Sequence, residues 1–166
     1  MVLNMAENLF PGLYVGNYDH ALDTQGRVSL PSDWREKDKE TELVMIPARS
    51  KALLLLPVAT FMEFCGKAAR MAIANPKMQM ALAYLGSESR RCRCDKQGRI
   101  ALDKEKLSSI GVDRKLKLIG AITHIRICAP ENWQLPESPD EYLDEIQQLS
   151  DSNDDFAGLL QGVLSK

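Results

Sequence analysis

Two five-residue stretches, Asp23-Thr24-Gln25-Gly26-Arg27 and Asp95-Lys96-Gln97-Gly98-Arg99, agree at four of five positions and stand 72 residues apart. Each continues as aliphatic-small-Leu, Val28-Ser29-Leu30 in the first and Ile100-Ala101-Leu102 in the second. A longer match follows at an offset of 73, where Leu43–Pro57 aligns with Leu116–Pro130 through Leu43/Leu116, Ile46/Ile119, Ala48/Ala121 and Pro57/Pro130. Two blocks at almost one offset define a duplicated unit of about 45 residues, so the fold is read as a tandem repeat.

Local chemistry predicts the same structure in both copies. Asp accepts backbone N–H bonds two residues on, and Gly supplies the positive φ of a bulged hairpin turn. Arg27 and Arg99 then open strands expected to return along the ones before them. A short helix should follow, announced by Pro31-Ser32-Asp33 in copy one, and capped by Asp103 over Lys104–Ser109 with Gly111 at its end in copy two. A second hairpin closes each unit: about Leu43–Ile46 with Ala52–Leu56, and about Leu116–Ile119 with His124–Cys128. Between the units, Val58–Ala74 carries Phe61, Phe64, Cys65, Ala68, Ala69, Ala72 and Ile73 at helical spacing. Asn75-Pro76 breaks it before a second helix over Lys77–Leu85. A last helix is expected over Asp140–Leu149, with Ser150–Lys166 frayed. Units this small are insecure alone, so strands from both should share one core. The expected class is α+β, two β-units joined by a helical hairpin. It divides into an N-terminal extension (1–12), repeat one (13–58), a helical linker (59–88), repeat two (89–132) and an acidic, partly helical tail (133–166).

The 166 residues are 45% apolar and 27% charged, which excludes wholesale disorder. The net charge of −2 argues against a uniformly basic nucleic-acid binder, but it is a cancellation. Residues 131–166 hold nine acids and one base, a charge of −8; residues 1–130 hold 20 bases and 14 acids, a charge of +6. A basic body with an acidic tail reopens nucleic acid as a partner. The tail is expected to compete with DNA for the basic face, so truncation after Asn132 should tighten non-specific binding. No apolar run approaches the ~18 residues of a membrane span, and Met1–Phe10 does not read as a secretory signal. The four cysteines are expected to be reduced, in the cytosol. Cys92-x-Cys94 lacks zinc spacing and reads as small core residues. His20 and His124 are isolated, and no nucleophile–base set, Gly-rich phosphate loop or HExxH occurs. Glu36, Asp38, Glu40 and Glu42, alternating with Lys37 and Lys39, read as a solvated loop. No catalytic residue, cofactor or metal site is expected, and the chain does not read as an enzyme.

The turns themselves carry the functional signal. A tight turn needs Asp and Gly but not Arg. Arg presents five donors in a rigid fork suited to phosphate and to guanine O6 and N7. Arg27 and Arg99 are therefore candidate DNA contacts, with Gln25 and Gln97 at the tips able to meet a base edge. Asp23, Gly26, Asp95 and Gly98 shape the loops. On a strand, Arg91, Arg93 and Asp95 share one face and Cys92 and Cys94 the other. With Arg90 and Lys96, this makes a basic ribbon suited to phosphate contacts that position a protein. The alternative is an interaction module, antitoxin-like or a scaffold, whose loops bind a protein.

The doubled motif resembles the MraZ family of bacterial transcriptional regulators of the division and cell-wall gene cluster. Tyr14–Pro31 is similar to the family's opening segment. The second turn, with Gly111-Val112 and Leu118-Ile119-Gly120, is similar to its second half, so the resemblance spans about Leu13–Trp133. The chain departs from the family by adding Met1–Pro11, by Leu102-Asp103 where Leu-Pro is usual, and in a less apolar Leu82–Glu88. The resemblance implies SpoVT/AbrB-like, swapped-hairpin units and sequence-specific DNA binding through Asp23/Arg27 and Asp95/Arg99. It implies repression of that cluster, including the protein's own gene, at repeated promoter boxes on double-stranded DNA. It also implies a ring-shaped homo-oligomer and a cytoplasmic, nucleoid-associated location.

Overall fold

The strands leading into the two turns are exchanged between the repeats. This is seen in a computed structural model of the chain, which describes residues 13–37, 40–135 and 138–151. Repeat one supplies β1 (Asn17–Ala21), β2 (Arg27–Ser29), β3 (Glu42–Ala48) and β4 (Ala52–Pro57). Repeat two supplies β5 (Arg90–Arg93), β6 (Arg99–Ala101), β7 (Lys115–Gly120) and β8 (Ile125–Cys128). The antiparallel six-stranded sheet runs β1-β7-β8-β4-β3-β5, and β2 and β6 pair as a separate ribbon. Exchanging the repeats reproduces both orders, so the architecture has an internal two-fold. The axis passes between β4 and β8 and between β2 and β6.

This corrects the hairpin expected at each turn. The turn's base does close, with Asp23 N donating to Arg27 O at 2.9 Å and Gly26 N to Asp23 O at 3.0 Å. Beyond it the strands part: β1 pairs with β7 from Asn17↔Ile119 to Ala21↔Lys115, and β5 with β3 from Glu42↔Arg93 to Met45↔Arg90. At the second turn a single bridge, Cys94↔Ile100, joins the two arms. The other repeat offers each leading strand a long apolar neighbour, which the three-residue β2 and β6 cannot. The two units therefore share one core, as their size requires. It collects Leu43, Leu55, Leu116, Leu118, Ile125 and Ile127 from the sheet, Val28 and Ile100 from the ribbon, and Trp34 and Leu107 behind the turns. Each fully buried side chain of this kind contributes about 1.5–3 kcal/mol. Cys92 and Cys94 join this core, and Cys128 lies in a smaller cluster with Ala52 and Ile119. Burial pushes the Cys92 thiol up to about 11. No group of His, Cys, Asp and Glu among the described residues could hold a metal ion.

After each ribbon strand the repeats diverge. In repeat two, Asp103 Oδ1 accepts from Glu105 N at 3.0 Å and Lys106 N at 3.2 Å, capping α3 (Lys104–Ser109). In repeat one the expected helix shrinks to a single 3-10 turn, Ser32–Trp34, with no side-chain cap. Arg35 is already extended there, and Glu36 N donates to Thr41 Oγ1. The linker folds as α1 (Val58–Ala72) and α2 (Pro76–Glu88), with Asn75 capping α2 through Met78 N. Part of the predicted stripe faces solvent: Phe64 is 55% and Ile73 80% exposed, with Met71, Met80 and Tyr84 also outward.

The chain divides into two compact units after Trp133. Trp133 packs against the Ala52–Ile119–Cys128 cluster, so the residue assigned to the start of the tail belongs to the body. The second unit carries α4 (Pro139–Asp151), an amphipathic acidic helix with Tyr142 and Leu143 exposed. The rest of the tail, 152–166, and the extension 1–12 lie outside the described residues. No described helix is long and apolar enough to cross a membrane.

Candidate nucleic-acid interface

Both turns are built by one carboxylate each. Asp23 Oδ1 accepts from Gln25 N and Arg27 N, both at 2.9 Å, and Asp95 Oδ1 accepts from Gln97 N and Arg99 N, both at 2.9 Å. The second oxygen holds the guanidinium: Arg27 Nε lies 2.8 Å from Asp23 Oδ2, and Arg99 Nε 2.9 Å from Asp95 Oδ2. Gly26 and Gly98 take φ of +73° and +78°, as the turn chemistry predicts. The backbone N–H of Arg27, then its guanidinium, hold the Asp23 carboxyl below its ordinary range, and Arg99 does the same for Asp95.

The ribbon sets the turns side by side. Arg27 pairs with Ala101 and Ser29 with Arg99, so the two arginines stand on neighbouring strands across the internal axis. Leu30 N donates to Gly98 O at 2.9 Å and Leu102 N to Gly26 O at 3.1 Å, tying each turn to the other repeat. Arg27 Nη1 also lies 4.0 Å from Asp95 Oδ2. With Nε committed, Nη2 of Arg27 and Nη1 of Arg99 make no hydrogen bond among the described residues, and the side chains remain 26% and 29% exposed. Thus the fork is aimed by Asp and its far end is free for a phosphate or a base edge. The side chains of Gln25, Gln97 and Lys96 likewise make no bond among the described residues.

The basic ribbon on β5 has the predicted faces, with Cys92 buried and Arg91 and Arg93 outward, 66% and 62% exposed. Glu42, however, is not in a solvated loop. It lies on β3 opposite Arg93, accepting from Arg93 Nε at 2.6 Å and from Arg91 Nη2 at 3.2 Å. Arg93's bond, above all, keeps the Glu42 carboxyl below its ordinary range. Arg90 turns back to Asp103, 3.3 Å away. His20 and His124 are separate, and burial lowers both below the usual imidazole range.

The sequence reading missed two cations. Arg35 donates Nε and Nη2 to Leu30 O, at 2.9 and 2.6 Å, and its guanidinium fills the space a Cβ on Gly98 would occupy. Lys104 lies against Gly26, its Cε 3.4 Å from where a Cβ would stand. Each turn thus receives a cation from the other repeat. Strand exchange creates both placements, and no local motif signals them.

Comparison with known proteins gives a consistent picture. Residues 13–83 match a family model whose description reads "MraZ protein" and goes on to liken it to antitoxins. Proteins named transcriptional regulator MraZ are similar over most of the chain. The one from Thermomicrobium roseum is 26% identical over 121 residues, covering 73% of this chain and 84% of the relative. That from Caldicellulosiruptor saccharolyticus is 28% identical over 131 residues, covering 79% and 90%. That from Corynebacterium jeikeium is 27% identical over 143 residues, covering 86% and 96%.

Proposed function

We propose that the chain is a transcriptional regulator of the MraZ type, which it is similar to, and that it binds double-stranded DNA sequence-specifically through its two Asp-x-Gln-Gly-Arg turns. It acts as a regulator and not as an enzyme. One observation carries the DNA reading: two arginine forks side by side on the β2–β6 ribbon, each aimed by its own Asp and each with a free Nη. Arg27 and Arg99 reach bases or phosphates, Gln25 and Gln97 meet base edges, and Lys96, Arg91 and Arg93 add phosphate contacts. Asp23, Gly26, Asp95 and Gly98 hold the loops. The regulated genes are the division and cell-wall cluster, including the protein's own gene, and the action is repression.

The exposed apolar side chains of α1 and α2 support self-association, in a ring-shaped homo-oligomer. A ring would present many copies of a weak module, so repeated promoter boxes gain affinity through effective concentration. The location that follows is cytoplasmic and nucleoid-associated. Arg27→Ala should weaken binding to a promoter fragment by about 1–3 kcal/mol in a gel shift. Unchanged affinity would sink the assignment. The antitoxin likeness favours one second reading, loops that bind a protein. Salt separates the two, because phosphate contacts predict a steep loss of binding as salt rises.

A further inference from the structure

Strand exchange also crosses the charges. The residues before β3 and β7 are structural counterparts: Thr41 O accepts from Cys94 N and Arg114 O from Leu22 N, both at 2.9 Å. One step on, Glu42 faces Arg93 and Lys115 faces Ala21. Repeat one thus lends an acid to the second turn, while repeat two lends bases to the first.

Two grooves flank the turns and record this difference. The first, about 770 Å³, lies between Asp23 and Thr24 of the first turn and Lys104, Asp113 and Arg114 of repeat two. Asp23 is committed to Arg27, so the groove's uncommitted charges are two cations and Asp113. Lys104, Arg114 and Lys115 are all exposed, and none makes a side-chain hydrogen bond or ion pair among the described residues. The second groove, about 620 Å³, sets Arg35 and Lys96 against Glu36 and Glu40, so its uncommitted charges cancel. Arg91 and Arg93 of β5 beside it already belong to Glu42. A polyanion gains most where cations are free and loses where a carboxylate must first be displaced.

We propose that the flank of the first turn, formed by Lys104, Arg114 and Lys115, is the main phosphate-anchoring surface of the protein, with the backbone of duplex DNA as its ligand. The second turn contributes recognition and weaker phosphate contacts, because Arg91 and Arg93 are shared with Glu42. This rests on the DNA-binding reading. Anisotropy titrations of the full chain, with a promoter duplex and an unrelated duplex between about 50 and 200 mM salt, test it. The triple variant Lys104→Gln, Arg114→Gln, Lys115→Gln should lower the slope of log K against log salt by about two to three and weaken both duplexes alike. The double variant Arg91→Gln, Arg93→Gln should change it by less than about one. A triple variant that keeps the wild-type slope, or a double variant with the larger loss, overturns the proposal. Wild-type protein that binds neither duplex overturns the DNA reading itself, and needs no variant to show it. The triple variant removes no internal bond, so its melting temperature should match wild type.

Discussion

The first and second turns are nearly superposable in their bonding and unlike in their surroundings. Backbone bonds to the Asp oxygens measure 2.9 Å in both, and the glycine φ values differ by a few degrees. Around the first turn stand Lys104, Arg114 and Lys115, unpaired among the described residues, with Asp113; around the second stand Arg35 and Lys96 with Glu36, Glu40 and Glu42. The duplication therefore preserves the means of aiming an arginine and varies the electrostatic setting in which it works. Symmetric geometry does not make the two sites equivalent.

The largest expected effect separates the glycines. Gly26→Ala should cost about 1–2 kcal/mol for a Cβ at positive φ, since the nearby Lys104 chain can move aside. Gly98→Ala carries the same cost plus the displacement of a guanidinium held by the Leu30 carbonyl, about 1–3 kcal/mol more by analogy with overpacking. Urea denaturation measures both, and equal losses would break the comparison. Next comes the cap peculiar to repeat two. Asp103→Ala should destabilise by about 0.5–2 kcal/mol, whereas replacing Ser32, which caps nothing, should leave the denaturation midpoint unmoved. The smallest effect is acid sensitivity. Asp23, Asp95 and Glu42 have folded values below their ordinary ones, 3.8 for the aspartates and 4.5 for Glu42, so their stabilisation is complete only above those ordinary values. It fades as pH falls through those lower folded values. Glu42 adds such a carboxylate on β3 beside the second turn, so Glu42→Gln should flatten the acid-induced shift of the Gln97 and Gly98 amides and leave those of Gln25 and Gly26 unchanged. Identical titration curves in variant and wild type would show that Glu42 adds nothing.

What could be read in advance was local. The Asx bonds of Asp23 and Asp95, the positive φ at both glycines and the Asp103 cap follow from a few adjacent residues. So did the inward cysteines of β5, which follow from strand alternation. What escaped depended on distant neighbours. Glu42 looked like one charge in a solvated run because its partners, Arg91 and Arg93, come from the other repeat. The helical period of Phe64 and Ile73 marked a face without saying whether this chain covers it. One signal was available: at the offset of 73, Glu42 aligns with Lys115, a charge reversal at the position just before the matched block.

The pairing of β1 with β7 also has a history in time. At about 5–20 residues per second, β1 leaves the ribosome roughly 5–20 s before the strand that will sit beside it has been made. Until then repeat one holds β3 and β4 but neither flanking partner, and its edge is open to any strand that fits. The best-matched strand in reach is β7 of an older chain on the same message. Crowded synthesis or rapid refolding at high concentration should therefore yield interlocked pairs, each chain lending its first strand to the other.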